Sequence, residues 1–295
     1  MQDKVITLDA AAAMIEPGSS IALGGALLQR QPMALIRALC RRQVMDLSVV
    51  TFVCGNGVDL LVGTGQVSAI EAAYIGLGPL GRAPWTTRRA QDGSLRIEDM
   101  SESVMMQRFR AAGMGLPCLP TRVLLGTSMP EHSAHVRPLD DPFTGQPLHL
   151  VEAARPDVTV LHVHAADSSG NTLWPTRRNT DECDLMLAKG ARTLIITAER
   201  LVTRDEVRRN STLAWIPSHL VAAVVQAPWG AHPGSCDGFY DQDDDHLRRY
   251  INACASPAAW QEYLATYITV TDEGTYLERV GGARRLGQLS SDFIA

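Results

Sequence analysis

Gly18-Ser19-Ser20-Ile21-Ala22-Leu23-Gly24-Gly25-Ala26-Leu27-Leu28-Gln29-Arg30-Gln31-Pro32 runs from a short apolar strand into paired glycines, and then to a proline that opens a helix over Met33 to Arg42. Glycine lets backbone amides come close to whatever lies beside them, and a helix start favours negative charge. Gly24 and Gly25 therefore have two readings: contact with a ligand, or a tight strand-to-helix turn. The stretch is no dinucleotide fingerprint, because G-x-G-x-x-G is absent.

The same alternation recurs along the chain. Apolar, β-branched runs at Ser20 to Leu23, Leu47 to Val53, Arg122 to Leu125, Val158 to Val163, Thr193 to Thr197 and Leu220 to Gln226 predict strands. Between them, Met33 to Arg42, Ser103 to Ala112, Thr180 to Lys189 and His246 to Cys254 predict amphipathic helices. Strands alternating with helices define the α/β class: one domain over residues 1–295, built on a largely parallel sheet with helices on both faces. Residues 129–156, rich in Pro, Gly, Asp and His, read as a loop-rich excursion or hairpin joining two halves. Residues 277–295 read as a C-terminal tail that orders against a partner.

The chain of 295 residues is 45% hydrophobic and carries a net charge of −5, so it can bury a large core and offers no basic field to nucleic acid or anionic membrane. Its apolar runs fall far short of the roughly 20 residues that cross a bilayer, and its first residues lack the pattern of a secretion signal. A cytoplasmic location is expected. Six scattered cysteines with no C-x-x-C pair argue for reduced thiols rather than disulfides or a structural zinc, and no metal is expected.

Several polar groups invite a choice between structure and chemistry. Ala154 to Asn171 reads as a buried strand ending in a polar turn, with His162 and His164 on one face; structural histidines fit better than a metal pair without a third ligand. Glu199 ends another apolar strand and either lines a site or caps a neighbouring turn. Asp241 to Asp245 reads as an acidic cap before a helix, and the repeated Arg pairs, such as Arg88-Arg89 and Arg177-Arg178, as solvated charges.

Five ordered segments over residues 15–240 carry a resemblance. These are the Gly18 to Pro32 stretch, Arg108-Phe109-Arg110-Ala111-Ala112-Gly113-Met114-Gly115-Leu116-Pro117, the Asp157 to Asn171 block, Ile195 to Val202, and Val224 to Pro233. Together they resemble the A subunits of family I coenzyme A transferases, nearest to the glutaconate CoA-transferase type. Ala26 and Arg30 depart from that family's first signature, standing where it has an aromatic and a glycine.

The resemblance implies a CoA-transferase-like fold paired with a B-type subunit in a heterodimer or heterotetramer. It also implies an acyl-CoA substrate, with coenzyme A as a substrate moiety rather than a bound cofactor. The nucleophile is then a glutamate of the B subunit, which attacks the thioester to give an anhydride and then a glutamyl-CoA thioester. Gly24 and Gly25 are the substrate-binding candidates, and Glu102 is the catalytic one. Glu102 falls where many 3-oxoacid CoA transferases have a glutamine that helps bind the thioester oxyanion. An ionised carboxylate would repel that oxyanion, so Glu102 is protonated, turned away, used as a base, or merely a solvated helix-start residue. Its neighbours Glu98 and Asp99 are candidate partners in splitting acid and base roles. A glutamate there also resembles the ring-opening CoA-thioester hydrolases of bacterial steroid catabolism. A third reading is a noncatalytic ligand-binding module of the same fold.

Overall fold

The computed structural model describes residues 3–175 and 181–290. Eleven strands are found among them: β1 (Ser20–Leu23), β2 (Leu47–Cys54), β3 (Val67–Ile75), β4 (Arg96–Asp99), β5 (Cys118–Thr121), β6 (Val136–Asp140), β7 (Pro147–Glu152), β8 (Val158–Asp167), β9 (Thr172–Leu173), β10 (Thr193–Val202) and β11 (Ala223–Gln226). The main sheet has the order β11-β10-β8-β1-β2-β3-β4, and every neighbour along it is parallel. Only the short β9 lies antiparallel, against β8.

Alternate residues of the central strands feed two cores, as a sheet covered on both faces requires. Val158 and Val160 of β8 join Ile21, Val49 and Leu35 under the helices Leu8–Ala13, Met33–Arg42, Asn56–Gly63 and Pro257–Tyr263. Leu161 and Val163 face the other way, onto Phe109 and Leu187 of the helices Glu102–Gly113 and Asp181–Gly190. Every residue of β8 is buried, which explains why apolar residues stand on both of its faces.

The excursion at 129–156 contains the antiparallel pair β6 and β7, completed into a three-stranded sheet by β5. Two expected strands differ. Arg122 to Leu125 is a turn, with Leu124 at φ 78 and the Thr127 amide donating to the Leu124 carbonyl; the strand is the preceding β5. Leu220 ends a 3-10 turn, so the last strand starts at Ala223.

The stretch expected as a tail carries the helix Gly282–Leu289, packed on its own chain. Arg285 donates to both oxygens of Asp243, at 2.6 and 3.1 Å, and Ser290 bridges to Tyr240. Residues 291–295, and the expected contributions of Thr180 and Arg177-Arg178, lie outside the described residues. Among the described residues, no helix is long and apolar enough to cross a membrane.

Candidate active site

A parallel sheet sends the carboxyl ends of all its strands to one edge. The chain leaves β1 for β2 on one side and has β8 on the other, so the strand order reverses between β1 and β8. That crevice, outside the carboxyl ends, is where α/β sheets take ligands. Gly24 and Gly25 follow β1 directly, with the Gly24 amide donating to the Val160 carbonyl of β8.

What the two glycines accommodate is this chain's own atoms. A Cβ on Gly24 would lie 2.2 Å from Leu161 Cδ2 and 2.7 Å from Asp184 Oδ1. Gly25 adopts φ +77, and its amide donates to Asp184 Oδ1 at 2.8 Å. Asp184 Oδ2 in turn pairs with the buried Arg30, whose guanidinium lies 4.8 Å from the centre of the Trp174 ring. The arginine that departs from the family signature is thus part of the turn's own support.

Glu102 is at the same edge of the sheet, three residues past the end of β4. Ser101 caps the helix that begins there by accepting the Val104 amide at 3.3 Å, which places Glu102 in the first turn, exposed to solvent. Among the described residues no hydrogen bond or ion pair holds its carboxylate.

The neighbouring Glu98 points to a different group of residues. It is the register partner of Glu71 on β3, and His135 faces both, 3.5 Å from Glu98 and 3.3 Å from Glu71. Arg108 holds Glu71 at 2.7 Å. Burial works to raise the Glu71 pKa, but its contacts with His135 and Arg108 prevail and bring it to about 2. No spacing in the sequence links positions 71, 98, 108 and 135.

Glu199 caps a neighbouring turn: its Oε2 accepts the Trp229 amide at 2.7 Å. Its Oε1 meets His162 Nε2 at 2.7 Å and the Tyr240 hydroxyl at 2.5 Å, while His162 Nδ1 reaches Thr197 at 2.9 Å. His162 is therefore a structural histidine with both nitrogens engaged. His164 is buried as well, bonded to the Asp237 carbonyl at 2.9 Å. Asp243 caps its helix as the acidic run predicts, accepting the His246 amide at 3.0 Å.

Crossovers of this order, with glycines at the switch point and an unengaged glutamate at the same edge of the sheet beyond β4, define an α/β enzyme-type edge rather than a repeat or a barrel. The family model for coenzyme A transferase matches residues 5–227, and the chain belongs to that family, as an A-type subunit. It is 30% identical over 301 residues to the A subunit of glutaconate CoA-transferase from Acidaminococcus fermentans, covering 95% of this chain and 93% of that one. The crystal structure of that transferase matches with a TM-score of 0.91 at 28% identity, over 98% of this chain and 96% of the other. The cholesterol ring-cleaving hydrolase IpdA subunit of Mycobacterium tuberculosis H37Rv is also 30% identical, over 92% of this chain and 95% of its own length. The crystal structure of a variant of the decarboxylase AibA/AibB matches at 31% identity with a TM-score of 0.79, over 90% of this chain and 100% of that one. One curated relative, 34% identical, is longer, and the chain spans 65% of its length.

Proposed function

We propose that this chain is the A subunit of a two-subunit enzyme that transfers CoA between carboxylic acids, with a B-type partner supplying the glutamate that attacks the acyl-CoA thioester. The observation that carries the reading is the incompleteness of the edge. Glu199 is committed to His162, Tyr240 and Trp229, and the Gly25 amide to Asp184. Glu102 is exposed there, and none of the described residues engages it. A carboxylate or an oxyanion donor gains its effect where water is excluded. A partner surface over this edge supplies that exclusion, and with it the nucleophile.

A second reading, ring-opening hydrolysis at a CoA thioester, is favoured by one specific feature: position 102 carries a carboxylate, and no donor among the described residues engages it. A free carboxylate takes a proton from water; a carboxamide does not. The hydrolase relative and the transferase relative are equally similar to this chain, so the residue bears more weight than the overall likeness.

The test is to co-express the chain with its B-type partner and supply acyl-CoAs with and without acetate or succinate, in labelled water. Acceptor-dependent formation of a new CoA ester is expected for the transferase; acceptor-independent product carrying water-derived oxygen indicates the hydrolase. Glu102→Gln then preserves or raises transfer but abolishes hydrolysis. Unchanged kinetics on the true substrate would remove Glu102 from both mechanisms, and full turnover by the chain alone would refute the two-subunit model. Binding of acyl-CoA without any turnover by the complex would favour the noncatalytic module.

A further inference from the structure

Glu71 and Glu98 stand directly opposite each other on adjacent parallel strands, an arrangement that costs stability unless cations meet it. What surrounds them is more specific than neutralisation. The outer oxygen of Glu71, Oε2, is held by Arg108 at 2.7 Å. The outer oxygen of Glu98, Oε1, accepts the Ser133 hydroxyl at 2.8 Å and the Ala134 amide at 3.2 Å. The outer nitrogen of His135, Nδ1, meets Glu152 at 2.7 Å. Three inner atoms are left converging on one another: Glu71 Oε1, Glu98 Oε2 and His135 Nε2.

His135 Nε2 lies 3.3 and 3.5 Å from those two oxygens. Both separations exceed the roughly 2.7–3.2 Å of a well-made N–H···O bond. They match instead the edges of a coordination tetrahedron, about 3.3–3.4 Å for zinc bonded at about 2.0–2.1 Å. One donor atom from each residue falls within 4.8 Å of the other two. The charges agree as well, since three carboxylates against Arg108 leave a deficit that a divalent cation and a neutral imidazole would cancel. Glu152 on His135 is the carboxylate–histidine pairing that orients a metal-bound imidazole.

We propose that Glu71, Glu98 and His135 form a divalent transition-metal site of the zinc type, with a fourth position open to water. The ion is a staple: it fastens the foot of β6, which starts at Val136, to β3 and β4, four residues ahead of Glu102. It does not depend on which acyl-CoA reaction the enzyme performs.

The test uses the full chain, stripped with chelator and titrated with Zn²⁺ by calorimetry and with Co²⁺ by visible absorption. One Zn²⁺ per chain and the intense d–d bands of tetrahedral Co²⁺ are expected. His135→Ala removes both signals. Glu152→Gln, which keeps every ligand, weakens binding about 10–100-fold. Circular dichroism verifies that the variants fold, and if His135→Ala does not, Glu152→Gln carries the comparison. Absence of Zn²⁺ binding to the parent chain, or binding that neither variant alters, overturns the site.

Discussion

Lowering the pH from 7 to 5 should cost this chain on the order of 4 kcal/mol of stability through two buried histidines, His164 and His246. His164 is 5% exposed, between the rings of Trp174 and Phe239 at 5.8 and 5.7 Å. Its Nε2 hydrogen donates to the Asp237 carbonyl, and its Nδ1 has no partner among the described residues, so a second proton would be a buried donor with nowhere to go. His246 is 2% exposed among Tyr263, Tyr267 and Tyr276. Burial first, then the nearby Arg30 for His164 and His232 for His246, press each pKa down to about 3. Both folded values lie below the unfolded value of about 6.5, so the unfolded chain takes up protons first as pH falls. The stability is present above pH 6.5 and is lost on descent toward the folded pKa. Each histidine then contributes about 2 kcal/mol between pH 7 and 5, and any folded pKa below about 4 gives much the same figure. Against a typical total of about 5–15 kcal/mol this is a large fraction. His232, also lowered by burial, adds to the effect. Urea unfolding at pH 7, 6 and 5 measures the slope, and His246→Gln should flatten it by about half relative to the parent. A stability that stays level from pH 7 to 5, or a slope that the variant leaves intact, would refute the reasoning.

Gly25→Ala should destabilise more stubbornly than Gly24→Ala, because its Cβ would meet the Gln29 carbonyl oxygen at 2.2 Å, a backbone atom, at φ +77. The Gly24 clash is with a side chain, so Leu161→Ala should partly rescue Gly24→Ala and not Gly25→Ala, a coupling of about 0.5–3 kcal/mol in thermal or urea unfolding. Asp59→Ala should cost about 3–5 kcal/mol, since it strands four donors: the Trp85 and Thr86 amides and the Thr86 and Tyr250 hydroxyls, at 2.6 to 3.3 Å. Tyr250→Phe should cost about 1–2 kcal/mol alone and add little on top of Asp59→Ala; full additivity would contradict the shared network.

Elements with one strong signal were legible in the sequence. Ser20–Leu23 and the helix Met33–Arg42 follow from an apolar run, paired glycines and a proline, and β8 and β10 from β-branched residues buried on both faces. β3 was missed because Val-Ser-Ala-Ile-Glu-Ala-Ala-Tyr-Ile is rich in good helix formers and carries a charge at its centre. β4 was missed because an edge strand of Arg-Ile-Glu-Asp is mostly exposed and lacks an apolar pattern. Those two strands supply Glu71 and Glu98, so the cluster around His135 was invisible for the same reason. Arg30 read as a departure from a family pattern; only the folded chain shows the buried Asp184 that it accompanies. The helix Gly282–Leu289 was not read from the sequence because it is anchored by Arg285 and Asp243, 42 residues apart, a pairing no local pattern announces.

The chemistry of this chain turns on a smaller difference than its fold does. Parallel pairing of β1, β2, β3, β4, β8, β10 and β11 obliges every strand end, and so both the Gly24-Gly25 turn and Glu102, to share one edge. That much would hold for a transferase or a hydrolase alike, and the equal likeness to both relatives agrees. On the proposed reading, what separates the two is the side-chain end group at position 102. A carboxamide offers an N–H to a thioester oxyanion and keeps its charge state at any pH; a carboxylate repels the oxyanion and accepts a proton from water. Ser101 caps the helix through its own hydroxyl, and no donor among the described residues reaches the Glu102 carboxylate. On the proposed reading, the partner surface that covers the edge sets its protonation, and a B-type subunit that leaves Glu102 in contact with water would commit the pair to hydrolysis.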